Sequence, residues 1–185
     1  MQLQNMDAPI ISVITVCYNV ASTIEKTMLS VLNQTYKNLE YIIIDGNSTD
    51  GTVDIIKKYA ERLTFWISEP DKGIYDAMNK GIVKATGKFL IFMNAGDQFL
   101  NEKVLSKCLP YFLQEIDVIS GIGYLSGQKW IPAKATDLSV ASFLKRSLNH
   151  QATFINRKLF QDNLYRTDLK IVGDSVFFFQ ALIMD

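Results

Sequence analysis

Leu39-Glu40-Tyr41-Ile42-Ile43-Ile44 runs straight into Asp45-Gly46-Asn47-Ser48-Thr49-Asp50-Gly51, and Val53, Ile56, Tyr59 and Ala60 then follow at helical spacing. The apolar, β-rich run predicts a strand, the polar run a loop, and the one-sided stripe a helix. The same unit stands on either side. Upstream, Ile10 to Val16 is strand-like, and Ser22-Thr23-Ile24-Glu25 has capping-box spacing ahead of a stripe through Ile24, Met28, Val31 and Leu32. Downstream, Thr64 to Ser68 predicts a third strand, Tyr75 to Lys84 a helix and Lys88 to Met93 a fourth strand, with Asn101 as the cap of a helix reaching about Phe112. Parallel neighbours need crossover helices, so this alternation implies an α/β fold: a Rossmann-like, doubly wound, mostly parallel sheet with helices on both faces.

After Asp117 the pattern loosens. Val118 to Ile122 and Tyr124 to Ser126 read as strands around glycines, Leu138 to Arg146 as a short helix, and Ala152 to Asn156 as another strand. With neither linker nor repeat, residues 1–185 are expected to form one domain.

Composition narrows the class of protein. Of the 185 residues 48% are hydrophobic and 21% charged, which suits a packed globule and excludes a disordered chain. Net charge is zero and no basic run alternates with aromatics, so nucleic acid is not an expected partner. Cys17 and Cys108 show no metal or redox spacing, and both are expected reduced in a cytosolic setting. No apolar stretch reaches the roughly 20 residues that span a bilayer, and residues 1–7 lack the regions of a signal peptide. The location expected is cytoplasmic. Asp174 to Asp185 (DSVFFFQALIMD) stops without a helix C-cap, which reads as a chain that ends inside a helix.

In an open parallel sheet, ligands bind beyond the carboxyl ends of the strands. Polar residues gather at all four: Thr15, Tyr18 and Asn19, then Asp45 to Asp50, then Glu69 to Asp76, then Asn94-Ala95-Gly96-Asp97. The third group opens Asp71-Lys72-Gly73-Ile74-Tyr75-Asp76-Ala77-Met78-Asn79-Lys80-Gly81, where carboxylates, lysines and glycines precede a helix, as suits a diphosphate. Each group also has a plainer reading: Asp45 as a turn-forming residue before Gly46, Asp50 as a helix cap, Lys72 as a solvated lysine, Met78 and Ile82 as core, and Asn94 to Asp97 as a strand-to-turn junction.

Together with Ser12-Val13-Ile14-Thr15-Val16-Cys17-Tyr18-Asn19, Ser30-Val31-Leu32-Asn33-Gln34-Thr35-Tyr36 and Ile44 to Thr52, these motifs resemble, in order and spacing, the bacterial family 2 glycosyltransferases of GT-A fold. The likeness continues more weakly through His150-Gln151-Ala152-Thr153-Phe154 and Gly173-Asp174. It implies an inverting transferase that takes a sugar from a nucleoside diphosphate donor, usually a uridine nucleotide, to a glycan or lipid-linked acceptor hydroxyl in cell-surface polysaccharide synthesis. Residues 1–98 would form the nucleotide-sugar half and residues 99–185 the acceptor half. Peripheral attachment at the inner face of a membrane is compatible with such acceptors.

The resemblance assigns roles residue by residue. Asp45 is similar to the aspartate that bonds uracil, with Thr15, Val16 and Tyr18 flanking the base. Asn19, Ser48, Asp71, Lys72, Asp76, Asn79 and Lys80 fall in donor-binding segments, as do Asn94, Ala95 and Gly96. The family's D-x-D element holds Mg²⁺ or Mn²⁺ against the leaving diphosphate. Here its first carboxylate is Asn94, which leaves Asp97 as the expected metal ligand. Asp174 resembles the base, expected with a pKa raised by desolvation against Phe177 and Phe178. Val176 departs from an acid common two positions after it, and Asp168 is a weaker candidate. His150 is read as structural or as a phosphate or acceptor contact, and Trp130 as a sugar platform or a core residue. The alternative is a non-catalytic nucleotide-sugar-binding domain or partner subunit. Nucleotidyl transfer is disfavoured, because no glycine- and arginine-rich loop follows the first strand.

Overall fold

A computed structural model of the protein describes residues 10–125, 128–131 and 148–184. Four strand-helix units come first: β1 (Ile11–Cys17) and α1 (Ile24–Leu32), β2 (Leu39–Asp45) and α2 (Thr52–Lys58), β3 (Phe65–Ser68) and α3 (Ile74–Lys84), β4 (Phe89–Phe92) and α4 (Val104–Phe112). They are followed by β5 (Val118–Ser120), β6 (Gly123–Leu125), β7 (Gln128–Trp130), β8 (Thr153–Asn156) and α5 (Gly173–Phe179), which passes into a π turn at Gln180–Met184.

The main sheet runs β3-β2-β1-β4-β8-β5. The first four strands are parallel, as the alternation predicts, with β1 central: Ile14 pairs with Ile42 on one side and Phe92 on the other. β8 enters antiparallel between β4 and β5.

Both faces of this sheet are covered, and that is why its strands read as continuous apolar runs. Ile11, Val13, Tyr41, Ile43, Phe89 and Ile91 pack with α1, α2 and α4 through Ile24, Met28, Val31, Ile56, Leu105 and Phe112. On the opposite face Ile14, Val16, Ile42, Ile44, Leu90 and Phe92 meet Tyr75, Met78 and Ile82 of α3 and Phe177 and Phe178 of α5. Each fully buried side chain of this size contributes about 1.5–3 kcal/mol, and together the two layers fix the register. α3 crosses β1 so closely that a Cβ on Gly81 would sit 2.5 Å from Ile14 Cγ2.

Several local expectations are corrected. The capping box is not made: α1 has no side-chain cap, and Glu25 instead accepts from the Tyr59 hydroxyl across to the next unit, at 2.8 Å. Asn101 caps a turn ahead of α4, accepting from Lys103 N at 2.9 Å, because the helix proper starts at Val104. The strand expected over Tyr124 to Ser126 is Gly123–Leu125, paired with Gln128–Trp130 in a separate two-stranded ladder. The helix expected at Leu138 to Arg146 lies outside the described residues. Cys17 and Cys108 are both free, and burial followed by the nearby Asp45 carboxylate pushes the Cys17 thiol well up.

Candidate active site

The loops after β1 and β2 hold one another by side-chain bonds to backbone. Asn19, in a left-handed conformation at φ 50°, accepts from Thr49 N at 2.8 Å, and its own N–H donates to Ser48 Oγ at 2.7 Å. Asp50 accepts from Ala21 N at 2.9 Å and from Thr52 N at 3.0 Å, so it ties the loop ahead of α1 to the first residue of α2. Asp45 is wholly buried. Its Oδ1 accepts from Ser48 Oγ at 2.5 Å and Cys17 Sγ at 3.5 Å, and its Oδ2 from Ser48 N at 2.9 Å and Ser68 Oγ at 2.7 Å. A carboxylate has about four lone-pair sites, and four donors occupy them. These donors hold the loop around Asp45, as the turn-forming reading expects. Ser68, which sequence reasoning missed, completes this set from the end of β3.

The side chains of Thr15 and Val16 are buried in the structure. Thr15 is fully buried, with its hydroxyl donating to Met93 O at 2.7 Å and 3.0 Å from the Tyr41 hydroxyl, and Val16 belongs to the core. Neither side chain can flank a base. Tyr18 is different: it is 62% exposed, and its ring borders Gly46. A Cβ on Gly46 would lie 2.6 Å from Asp71 Oδ2 and 3.3 Å from Tyr18 Cδ2. Three segments thus meet in a cradle that only glycine leaves open, with an aromatic face on one side and a carboxylate on the other.

Asp71 and Asp76 shape the turn before α3: Asp71 accepts from Gly73 N at 2.8 Å and Asp76 from Lys72 N at 3.0 Å. The Lys72 side chain is exposed. Lys80 is engaged internally, with its ammonium 2.8 Å from Glu69 and 3.7 Å from Asp76 and donating to Pro70 O at 2.9 Å. Asn79 uses both ends of its amide on the backbone of Tyr165, at 2.8 and 3.0 Å, so it fastens α3 to the segment before α5 and is not free for a donor.

At the exit of β4, Asn94 to Asp97 forms a tight turn in which Asp97 N donates to Asn94 O at 2.9 Å and Gly96 takes φ +108°, a conformation that glycine accommodates. The Asn94 amide turns to His150, with Nδ2 3.2 Å from Nε2, and the other ring nitrogen, Nδ1, is 2.7 Å from Asp174 Oδ2. Tyr75 supports the second oxygen: its hydroxyl donates to Asp174 Oδ1 at 3.2 Å and accepts from Gly173 N at 2.8 Å. Residues far apart in sequence, from the end of β4, the turn before β8, the start of α3 and the start of α5, therefore converge on one carboxylate.

Burial pushes Asp174 up, but the His150 hydrogen bond, the charge of that ring when protonated, the Ser175 backbone N–H and the Tyr75 hydroxyl outweigh it, and the pKa lies below the usual carboxylate value. The expected upward shift is thus reversed. Phe177 and Phe178 are both buried in the sheet-facing core. The backbone is strained just ahead of it, where Val172 adopts φ 66°, uncommon for a β-branched residue. Asp168 sits in an exposed pair with Arg166 at 2.5 Å. Trp130 is half-buried on the outlying ladder.

The donor set at the β4 exit fits a hard dication. Asn94 Oδ1 is buried and meets no donor among the described residues. Asp97 is desolvated, so that burial raises its pKa against the opposing effect of the His150 charge and of a hydrogen bond from the Asn94 backbone N–H. An amide oxygen and a carboxylate are oxygen ligands of the kind Mg²⁺ and Mn²⁺ take, with the remaining positions left to diphosphate and water. No cluster of three or more His, Cys, Asp or Glu side chains stands ready for a metal among the described residues, so protein alone would hold the ion weakly.

Comparison with known proteins bears on this geometry. The family model described as "Glycosyl transferase family 2" matches residues 12–183. An uncharacterized glycosyltransferase of Mycobacterium tuberculosis is 32% identical over 197 residues, covering 96% of this chain and 70% of that protein. A putative teichuronic acid biosynthesis glycosyltransferase of Bacillus subtilis is 37% identical over 119 residues, covering 63% of this chain and 47% of that protein. Among solved structures, TarS of S. aureus in complex with UDP matches with a TM-score of 0.76 at 22% identity, covering 93% of this chain and 54% of that one. The chain thus spans about half the length of that structure.

Proposed function

Because this chain belongs to glycosyl transferase family 2, we propose that it transfers a sugar, with inversion, from a nucleoside diphosphate sugar to an acceptor hydroxyl, with a uridine nucleotide as the first donor to test. The observation that carries the reading is the hydrogen-bonded line from Asn94 through His150 to Asp174, which links the β4 exit to a carboxylate held ionised.

In this reading the acceptor hydroxyl approaches Asp174, whose carboxylate has donors in His150, Tyr75 and the Ser175 N–H and keeps a lone pair to spare. The acceptor oxygen bonds to the anomeric carbon, its proton passes to the Asp174 carboxylate, and the bond to the diphosphate breaks with its electron pair leaving on the phosphate oxygen. Such a base contributes about 10²- to 10⁴-fold. Tyr18, Gly46 and Asp71 form the cradle for the nucleoside. The exposed Lys72 ammonium reaches the donor from the turn before α3. Asp97, with Asn94 Oδ1, would hold Mg²⁺ or Mn²⁺, which when bound offsets charge on the departing diphosphate. UDP in the S. aureus structure and teichuronic acid in the name of the B. subtilis relative support a uridine donor and a cell-surface glycan product. No helix among the described residues is long and apolar enough to cross a membrane.

Calorimetric titration of UDP with and without Mn²⁺, on the wild type and on Asp97→Ala, tests the donor site. Metal-enhanced binding that the variant loses is the expected result. Absence of UDP binding under both conditions would remove this reading.

A further inference from the structure

Thr27 brings a hydroxyl to the apolar stripe of α1. Its side chain is wholly buried beside Ile24, Met28 and Val31, which pack against the sheet. A buried polar atom needs a partner, and Thr27 Oγ1 accepts from Gly96 N at 2.9 Å, in the turn that ends at Asp97. Ser30 and Gln34 follow at the spacing of the same helix face. Ser30 Oγ donates to Thr27 O at 2.8 Å and accepts from Phe99 N at 3.3 Å. Gln34, buried just past the last turn of α1, donates to Asn101 O at 2.8 Å and accepts from Leu105 N at 3.1 Å. A backbone carbonyl only accepts and a backbone N–H only donates, so these partners fix the two ends of that amide. The chain from the exit of β4 into α4 is therefore fastened to α1 in order, by residues 27, 30 and 34.

We propose that Thr27 is a positioning residue for the donor site: through Gly96 N it holds the turn Asn94 to Asp97 in the shape that presents the Asp97 carboxylate to the cation accompanying the diphosphate. Ser30 and Gln34 anchor the chain beyond. The inference rests on the reading of Asp97 as a cation ligand.

The other N–H groups of the turn show why Thr27 matters. Asn94 N–H bonds the Asp97 carboxylate and Asp97 N donates to Asn94 O, so both bonds stay inside the turn, while Ala95 N reaches Val16 O of β1 at 3.3 Å. Gly96, at φ +108°, is the residue whose own sterics constrain the backbone least, and it sets the direction in which Asp97 leaves. Its N–H is held from outside, by the Thr27 hydroxyl. No cluster of three or more His, Cys, Asp or Glu side chains stands by among the described residues, so the place of this one carboxylate decides how well the site receives a cation.

Thr27→Val keeps the branched shape and removes the acceptor, and Thr27→Ser restores it. The test is calorimetric titration of UDP with and without Mn²⁺, on the wild type, both variants and Asp97→Ala, with Tm measured for each. Thr27→Val is expected to lose about tenfold of the Mn²⁺-dependent gain in UDP affinity, the lower end of the effect of residues that orient metal ligands. Its affinity for UDP without metal should stay within about twofold, and Thr27→Ser should recover the gain. A lower Tm in Thr27→Val with the gain untouched is the mark of a structural brace alone and overturns the inference, as does a Thr27→Ser variant as impaired as Thr27→Val. Amide exchange at Gly96 in the wild type decides even if Thr27→Val fails to fold: protection is expected, and exchange at the rate of an exposed loop amide overturns the inference. Asp97→Ala separates the two readings. A full gain in that variant, or none in the wild type, removes the cation ligand and the inference with it. Loss of the gain in Asp97→Ala with the gain intact in Thr27→Val removes only the positioning role.

Discussion

Tyr75 and Gly173 approach each other too closely to admit a methyl group: a Cβ on Gly173 would lie 2.7 Å from the Tyr75 ring. The Gly173 N–H donates to the Tyr75 hydroxyl, and the same hydroxyl continues to Asp174. Gly173→Ala is therefore expected to push α5 off α3, at a cost of about 1–3 kcal/mol for the overpacked contact. Transfer should fall by more than the unfolded fraction accounts for, because the base moves with the helix. Urea unfolding alongside steady-state transfer measures both. An alanine variant with unchanged stability and rate would show that the contact relaxes freely.

The direction of the Asp174 shift sets a pH dependence. Burial raises this carboxyl, but the His150, Ser175 and Tyr75 hydrogen bonds lower it further, so its folded pKa lies beneath its unfolded one. A group of this sign adds stability above its unfolded pKa and loses it as pH falls through the folded value. The acid limb of kcat/KM should lie below the ordinary aspartate range near about 3.9. In His150→Ala it should move up, because the largest of the effects that lower this carboxyl is gone, and tolerance of mild acid should fall with it. A limb at the same pH in both proteins would mean that another group controls it.

Asp97 has the opposite sign. Burial raises its pKa more than the His150 charge and the Asn94 backbone N–H lower it, so the ionised form is disfavoured in the folded chain. Asp97→Asn, which keeps the shape and drops the charge, should raise Tm at neutral pH and leave it unchanged in acid, where the wild-type group is already protonated. The same variant should lose the Mn²⁺-dependent part of UDP binding. A neutral-pH Tm equal to or below that of the wild type would show that the carboxylate is compensated in the fold.

The four parallel units were legible because a sheet covered on both faces leaves apolar runs that alternate with one-sided helices, a signal carried within each segment. The antiparallel entry of β8 was not, since its place depends on β4 and β5 and not on its own four residues. The site divides along the same line. Asp174 and Asp97 could be picked out as carboxylates at element ends, and His150 as a lone histidine of open role. Their convergence joins positions that no local pattern connects. At Asp45 and Thr15 near strand ends and at Asn79 within α3, the sequence shows a polar side chain but not the distant partner it bonds: Ser68, Met93 O and Tyr165 O. Tyr75 was visible only as the first residue of a predicted helix, because its role comes from the glycine and aspartate that return to it at the start of α5.

The insertion of β8 beside β4 also governs the order in which the protein can be assembled. Until Thr153–Asn156 arrives, β4 offers Phe89 and Leu90 along an unpaired edge, open to any other extended chain. The first four units can collapse as they are made, but they do so with a sticky flank, and the docking of β8 that seals the flank also brings in His150 on the turn just ahead of it. Closure of the edge and arrival of the histidine are one event, so a chain still exposed to misassembly is also a chain without its complete proton-accepting line.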